Sequence, residues 1–140
     1  MSSNSLSTRG NRQRGFTLME LLIVIVIMGL LMSLVAPTMF SKVGSSKIKT
    51  AEAQMQMIAT ALDVYRLDVG SYPASLSQLR ADDQTGWDGP YLPRDLPLDP
   101  WNREYIYKAP GDNGNPYNLR TLGADGQEGG EGEAAEIIYQ

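Results

Sequence analysis

The sequence predicts an α+β fold: a long N-terminal helix, apolar throughout its first half, whose C-terminal half packs on a small antiparallel sheet of about three strands. Three observations carry this. Leu21 to Phe40 (LLIVIVIMGLLMSLVAPTMF) is a run of 20 residues without a charged side chain. Beyond it, Ile48, Ala51, Met55, Ile58, Leu62, Tyr65 and Val69 recur in steps alternating between 3 and 4, which places them on one face of a continuing helix. After residue 100, short segments of alternating polarity stand between turn-forming residues, the pattern of strands.

Composition bounds the chemistry. The 140 residues suffice for one domain and at most an appendage, and 42% hydrophobic against 20% charged residues is the balance of a chain that folds. Histidine and cysteine are both absent. That removes disulfides, thiol nucleophiles, histidine bases and nearly all zinc, haem and iron–sulfur sites. A net charge of −4 disfavours a nucleic-acid partner, whose phosphates call for a basic surface.

The charge is unevenly spread. Before residue 16 the only charged side chains are Arg9, Arg12 and Arg14, whereas all 16 carboxylates lie from Glu20 onward. The chain is therefore a short cationic head, an apolar segment and an acidic body.

The apolar segment is long enough to cross a bilayer as a helix, at about 1.5 Å of rise per residue. A buried core helix of this length would need more covering protein than the chain supplies. A cleaved secretory signal would have a shorter apolar core and a better small-residue cleavage site than Leu34-Val35-Ala36. A membrane anchor is the reading that remains. The arginines before it and Lys42, Lys47 and Lys49 after it nearly balance, so the flanks leave orientation open. Glu20, at the start of the run, is either an interfacial acid or a functional one, since an ionised carboxylate within the bilayer costs roughly 2 to 3 kcal/mol unless it finds a partner.

Arg14-Gly15-Phe16-Thr17-Leu18-Met19-Glu20, followed directly by the apolar run, resembles the class III signal of type IV pilins and type II secretion pseudopilins. The resemblance implies a type IV pilin-like fold. It also implies a leader of residues 1–15, removed by a prepilin peptidase between Gly15 and Phe16, with N-methylation of Phe16. It makes Glu20 the assembly glutamate, paired with the charged amine of a neighbouring subunit. An ammonium and a carboxylate offset each other's desolvation in a low dielectric, which suits such a role. Residues 16–40 are then the transmembrane and assembly helix, and 41–140 the periplasmic globular domain of a single-pass protein of the bacterial inner membrane.

Other motifs narrow the resemblance. Tyr72-Pro73, Leu92-Pro93 to Leu96-Pro97, Asp99-Pro100-Trp101 and Leu122-Gly123-Ala124-Asp125-Gly126 are similar to the major, G-type pseudopilin of type II secretion systems. The implied function is a structural subunit, not an enzyme, that polymerises with itself into the pseudopilus driving export of folded proteins. Minor pseudopilins, the prepilin peptidase and the inner-membrane secretion platform are the implied partners, with no nucleic acid. A type IV pilin or a minor pseudopilin is the alternative within the class; the absence of cysteine and the Asp99-Pro100-Trp101 motif weigh against it. A membrane-tethered enzyme with paired carboxylates, such as a glycosidase, is the alternative outside it. Its carboxylates should stand beside aromatic platforms, and here they cluster among glycines.

The continuing elements follow from local chemistry. Helix from Phe16 to about Asp68 would measure about 53 residues, roughly 80 Å. Pro37 lacks an N–H and crowds the carbonyl of Ser33, so a kink or locally melted turn is expected there, either a tolerated bend or a point of extensibility. Gly29 and Gly44 add weak points. Gly70-Ser71-Tyr72-Pro73 ends the helix, and five of the eight prolines fall between residues 70 and 100, giving an irregular connection with a short helix at Ser75 to Arg80. Glu104 to Lys108, Tyr117 to Leu122 and Ile137 to Tyr139 read as strands, the first two joined across PGDNGNP. Trp87, Tyr91 and Trp101 are expected to cover the edges of the core.

Between the last two strands, Gly123 to Glu136 holds five carboxylates and five glycines in fourteen residues. By itself this is either a solvated loop of mutually repelling charges or a Ca²⁺ site, and it lacks EF-hand spacing. The resemblance implies the second, with Leu122, Asp125, Glu131, Glu133 and Glu136 as ligands.

Overall fold

The computed structural model describes residues 15–139. The expected leader of residues 1–15, apart from Gly15, lies outside the described residues together with its three arginines. The chain divides into two compact units, one reaching Met39 and the other beginning at Phe40.

Helix α1 (Leu18–Val69) begins in the first unit and starts two residues later than the sequence pattern suggests. The reason is a cap. The hydroxyl of Thr17 accepts the backbone N–H of Glu20 at 3.2 Å, satisfying one of the donors that a helix start leaves free. Every residue from Gly15 to Val43 is exposed, including Leu21, Ile25 and Phe40. The helix continues unbroken through Pro37, so the locally melted turn does not form. Proline removes one backbone bond, and the turns on either side stay paired; the hydroxyls of Ser33 and Thr38 also donate to the carbonyls of Leu30 and Val35, at 2.7 and 2.8 Å.

In the second unit, the apolar stripe of α1 becomes the core. Ala51, Met55, Ile58, Leu62 and Tyr65 are buried, while Ile48 and Val69 are half-buried at its ends. Glu52, Gln56, Thr60, Asp63 and Arg66 face outward. Gly70 ends the helix with φ +94°, its N–H bonded to the carbonyl of Arg66 at 2.8 Å; only glycine takes this left-handed conformation without a Cβ penalty.

A 3₁₀ turn at Leu76–Leu79 stands where the short helix was expected and contributes Leu76 and Leu79 to the core. The side-chain oxygen of Gln78 accepts from the backbone of Ala74 and Ser75, which fixes the entry of that turn. Leu92 adds a further buried side chain from the proline-rich connection. Trp87 and Tyr91 pack at the edge of this cluster, as expected, with ring centroids 5.7 Å apart. Trp101 is half-buried but does not join them; it stands in the turn after Asp99, and its N–H serves that carboxylate.

Three antiparallel strands in the order β1-β2-β3 complete the fold: β1 (Ile106–Lys108), β2 (Asn118–Thr121) and β3 (Ile137–Ile138). β1 and β2 are shorter than their alternating segments, because pairing stops where the chain bends into the flanking turns; β3 is one residue shorter than its segment, although the N–H of Tyr139 still bonds the carbonyl of Leu119 at 2.9 Å. The register opposes Tyr107 to Leu119 and Ile106 to Arg120, and then Arg120 to Ile138. Leu119 and Thr121 are buried, and the intervening Arg120 belongs to the opposite face.

Tyrosine hydroxyls fasten the layers. Tyr105 donates to Gln54 at 2.5 Å, Tyr107 to the carbonyl of Pro73 at 2.9 Å, Tyr91 to Asp68 at 2.8 Å, Tyr139 to Gln56 at 3.2 Å, and Tyr65 to Asp82. An aromatic body inside with its hydroxyl satisfied is the arrangement in which tyrosine is buried without penalty.

Candidate functional site

Two regions carry chemistry. The first is the start of α1. Gly15, Phe16 and Thr17 precede the helix and are exposed, with Phe16 at 87%. The bond between Gly15 and Phe16 thus lies outside regular structure. Glu20 is exposed in the first turn, at the third helical position. There the unpaired N–H groups and the aligned peptide dipoles favour a negative charge, which offsets part of the desolvation an ionised carboxylate meets in lipid. The Thr17-x-x-Glu20 spacing is a capping signature legible in the sequence alone, although its significance is overshadowed there by the apolar run.

The second region is the acidic loop. Its mouth is held by backbone and by Arg103: the N–H of Ala124 bonds the carbonyl of Glu133 at 2.9 Å, and the Arg103 guanidinium donates to the carbonyls of Gly123 and Ala124 at 2.6 and 3.3 Å. Gly123 has φ +74°, and a β carbon there would run into the carbonyl oxygens of Ala135 and Glu133. Beneath it, buried Asp99 accepts from the Thr121 hydroxyl at 2.5 Å and from the N–H groups of Trp101 and Arg103, both at 2.9 Å. Asp99 therefore seats the turn that delivers Arg103 to the loop.

The five expected calcium ligands do not converge. Glu136 pairs with Arg120 at 2.7 Å. The side chain of Glu133 lies against Gly44 of α1. Asp125 accepts the N–H of Gln127 at 3.0 Å within its own turn. Glu131 is exposed at the entry to a second 3₁₀ turn, Gly132–Ala134, and Leu122 is half-buried. Among the described residues, no three acidic side chains gather as a cation would require. A hard cation takes six to eight oxygens, so this donor set, as arranged, does not fit Ca²⁺. Arg120, which also reaches Glu128 at 3.0 Å, is the residue that sequence reasoning missed. The only signal was an arginine in a strand followed by a glutamate-rich loop. Its guanidinium is held above its ordinary pKa, first by its hydrogen bond with Glu136 and then by that with Glu128.

α1 also holds the one helix among the described residues that is long and apolar enough to cross a membrane. Residues 10–36 match the prokaryotic N-terminal methylation motif. An exposed apolar helix behind that motif, continuing into a small antiparallel sheet, defines the class of pilin-like subunits. Within it, residues 38–140 match the type II secretion system protein G family, and the chain belongs to that family. The chain is 41% identical over 134 residues to the type II secretion system core protein G of Pseudomonas aeruginosa, covering 90% of this chain and 94% of that one. To the core protein G of Vibrio cholerae it is 40% identical over 134 residues, covering 90% of each. Among solved structures it is similar to the major pseudopilin from the type 2 secretion system of enterohaemorrhagic Escherichia coli, at 25% identity and a TM-score of 0.52, over 67% of this chain and 86% of that chain. These relatives favour a protein G-type subunit over a type IV pilin or a minor pseudopilin.

Proposed function

We propose that this chain is a structural subunit that polymerises with copies of itself into a type II secretion pseudopilus and takes no part in catalysis. Processing between Gly15 and Phe16 by the prepilin peptidase, with methylation of Phe16, produces the assembling form. It stands in the inner membrane by residues 16–40 with the domain of 41–140 in the periplasm. Minor pseudopilins and the inner-membrane secretion platform are its further partners.

One observation carries this reading. Every side chain from Phe16 to Val43 is exposed in the single chain, with Leu30 at 67% and Leu34 at 75%. Each large apolar side chain left in water forgoes about 1.5 to 3 kcal/mol, so the segment needs lipid or neighbouring helices around it. Glu20 is the one charge at the head of that surface. Cleavage creates an ammonium on Phe16, and the same end of an adjacent copy supplies the partner that Glu20 lacks in lipid. The pair would fix the axial register of neighbours.

The test is Glu20→Ala in the full chain, produced together with its peptidase and secretion platform. The expected result is normal membrane insertion and processing, with fibres absent by electron microscopy. Fibres of normal yield from that variant would remove the pairing and, with it, the assembly mechanism.

A further inference from the structure

The acidic loop is met by two guanidiniums of its own chain. Arg103 takes the carbonyls of Gly123 and Ala124 at the loop entrance, and Arg120 takes the carboxylates of Glu128 and Glu136 on its far side. Glu136 immediately precedes β3, and Arg120 stands on β2 opposite Ile138, so a single side chain joins the central strand, the loop and the last strand. The pair with Glu136 is partly shielded, at 30% and 16% side-chain exposure, whereas Glu128 is 73% exposed. Salt and water therefore weaken the Glu128 arm far more than the Glu136 arm.

We infer that Arg120 closes the loop from Leu122 to Glu136, at the place where the family resemblance puts a calcium ion, and that β3 is held without a divalent cation. The chemistry supports the substitution. A guanidinium is permanently charged, offers five N–H donors in a fixed fork, and binds two carboxylates at once. A cation recruiting Glu136 would have to take it from Arg120 and leave a partly buried guanidinium with only the exposed Glu128 arm, which opposes metal entry. This inference does not rest on the fibre reading, because it concerns the fold of residues 40–140, whose core lies wholly within that unit.

The experiment uses the chain from Phe40 to Gln140, as wild type, Arg120→Leu and Arg120→Lys, each with EDTA, millimolar Ca²⁺ or millimolar Mg²⁺. Thermal midpoints and amide exchange of Ile137 to Tyr139 are read. The expected wild type has the same midpoint in all three buffers and protected β3 amides in EDTA. Arg120→Leu should lose about 5 °C in EDTA together with that protection, and Arg120→Lys should fall between, since an ammonium keeps the charge but lacks the planar fork that sets the two carboxylates on separate nitrogens. If Arg120→Leu fails to fold, the wild type alone decides. Wild-type β3 amides that are unprotected in EDTA and become protected in Ca²⁺ would overturn the inference, as would an Arg120→Leu midpoint equal to wild type.

Discussion

The hydroxyl of Thr121, on the central strand, donates to Oδ2 of Asp99 at 2.5 Å, and both residues are buried. The same carboxylate takes the backbone N–H groups of Trp101 and Arg103. The Asp99-Pro100-Trp101 turn is thereby bonded to β2, and Arg103 is aimed at the acidic loop.

Removing that acceptor should be felt by the whole domain. Asp99→Ala strands three donors in a water-poor site, and the expected loss is about 2 to 3 kcal/mol. Asp99→Asn keeps one acceptor oxygen and should lose less. Urea unfolding of residues 40–140 checks this; a midpoint unchanged in Asp99→Ala would mean that the turn holds itself.

Two glycines should answer alanine in opposite ways. At Gly123, φ +74° and the facing carbonyls of Ala135 and Glu133 leave no room for a β carbon, so Gly123→Ala is expected to cost about 2 kcal/mol or more. At Gly44, buried on an ordinary helical backbone, the obstacle is the outer part of the exposed Glu133 side chain from Cγ to Oε1, with no backbone atom in the way. Glu133 can swing aside, and alanine gains about 0.5 to 1 kcal/mol of helix preference, so Gly44→Ala should be neutral or stabilising. Thermal midpoints in the same buffer decide, and a matched loss at both sites would contradict the account.

Alkaline stability follows from the buried tyrosines. Burial, and then the hydrogen bond to Asp82, pushes the Tyr65 hydroxyl up to about 12; burial, and then the charge of Asp63, pushes Tyr117 to about 12. Both groups are neutral in the fold where the unfolded chain would already have lost its protons, near pH 10. Their contribution is therefore complete below about pH 10 and is lost as pH rises toward 12. Far-ultraviolet circular dichroism and tyrosinate absorption, followed together through a base titration, should show the last tyrosines ionising as the fold is lost. Ionisation of all seven tyrosines near pH 10 with the fold intact would refute this.

Processing gives a prediction that needs no variant. Intact mass of the membrane-extracted protein should correspond to a chain starting at Phe16 with one added methyl group. An N-terminus at any other residue is incompatible with the exposed Gly15-Phe16 bond being the cleavage point.

Much of the fold could be read from the sequence because it was written as periodicity. The alternating stripe from Ile48 to Val69 is local information, and its buried face is the one the pattern marks. The alternating segments overrun the strands, since alternation marks side-chain direction and not the last hydrogen bond. Hydrophobicity places Trp101 at the edge of the core, but it says nothing of a turn in which the residue contributes its backbone N–H to Asp99. The loop shows the limit most clearly. Its carboxylates are visible in sequence, yet whether they face a metal or Arg120 depends on the pairing of β2 with β3, which no local pattern encodes.

The placement of the core has a consequence for the life of the subunit. Its buried side chains begin at Ala51, apart from Gly44, and none lies in the apolar segment from Leu21 to Phe40. On the assembly reading proposed above, that segment could exchange lipid for neighbouring helices without drawing on the buried core that begins at Ala51. A subunit released from such a fibre would return to the bilayer with its domain folded, and the membrane would then serve as a reservoir from which the same molecules are drawn again.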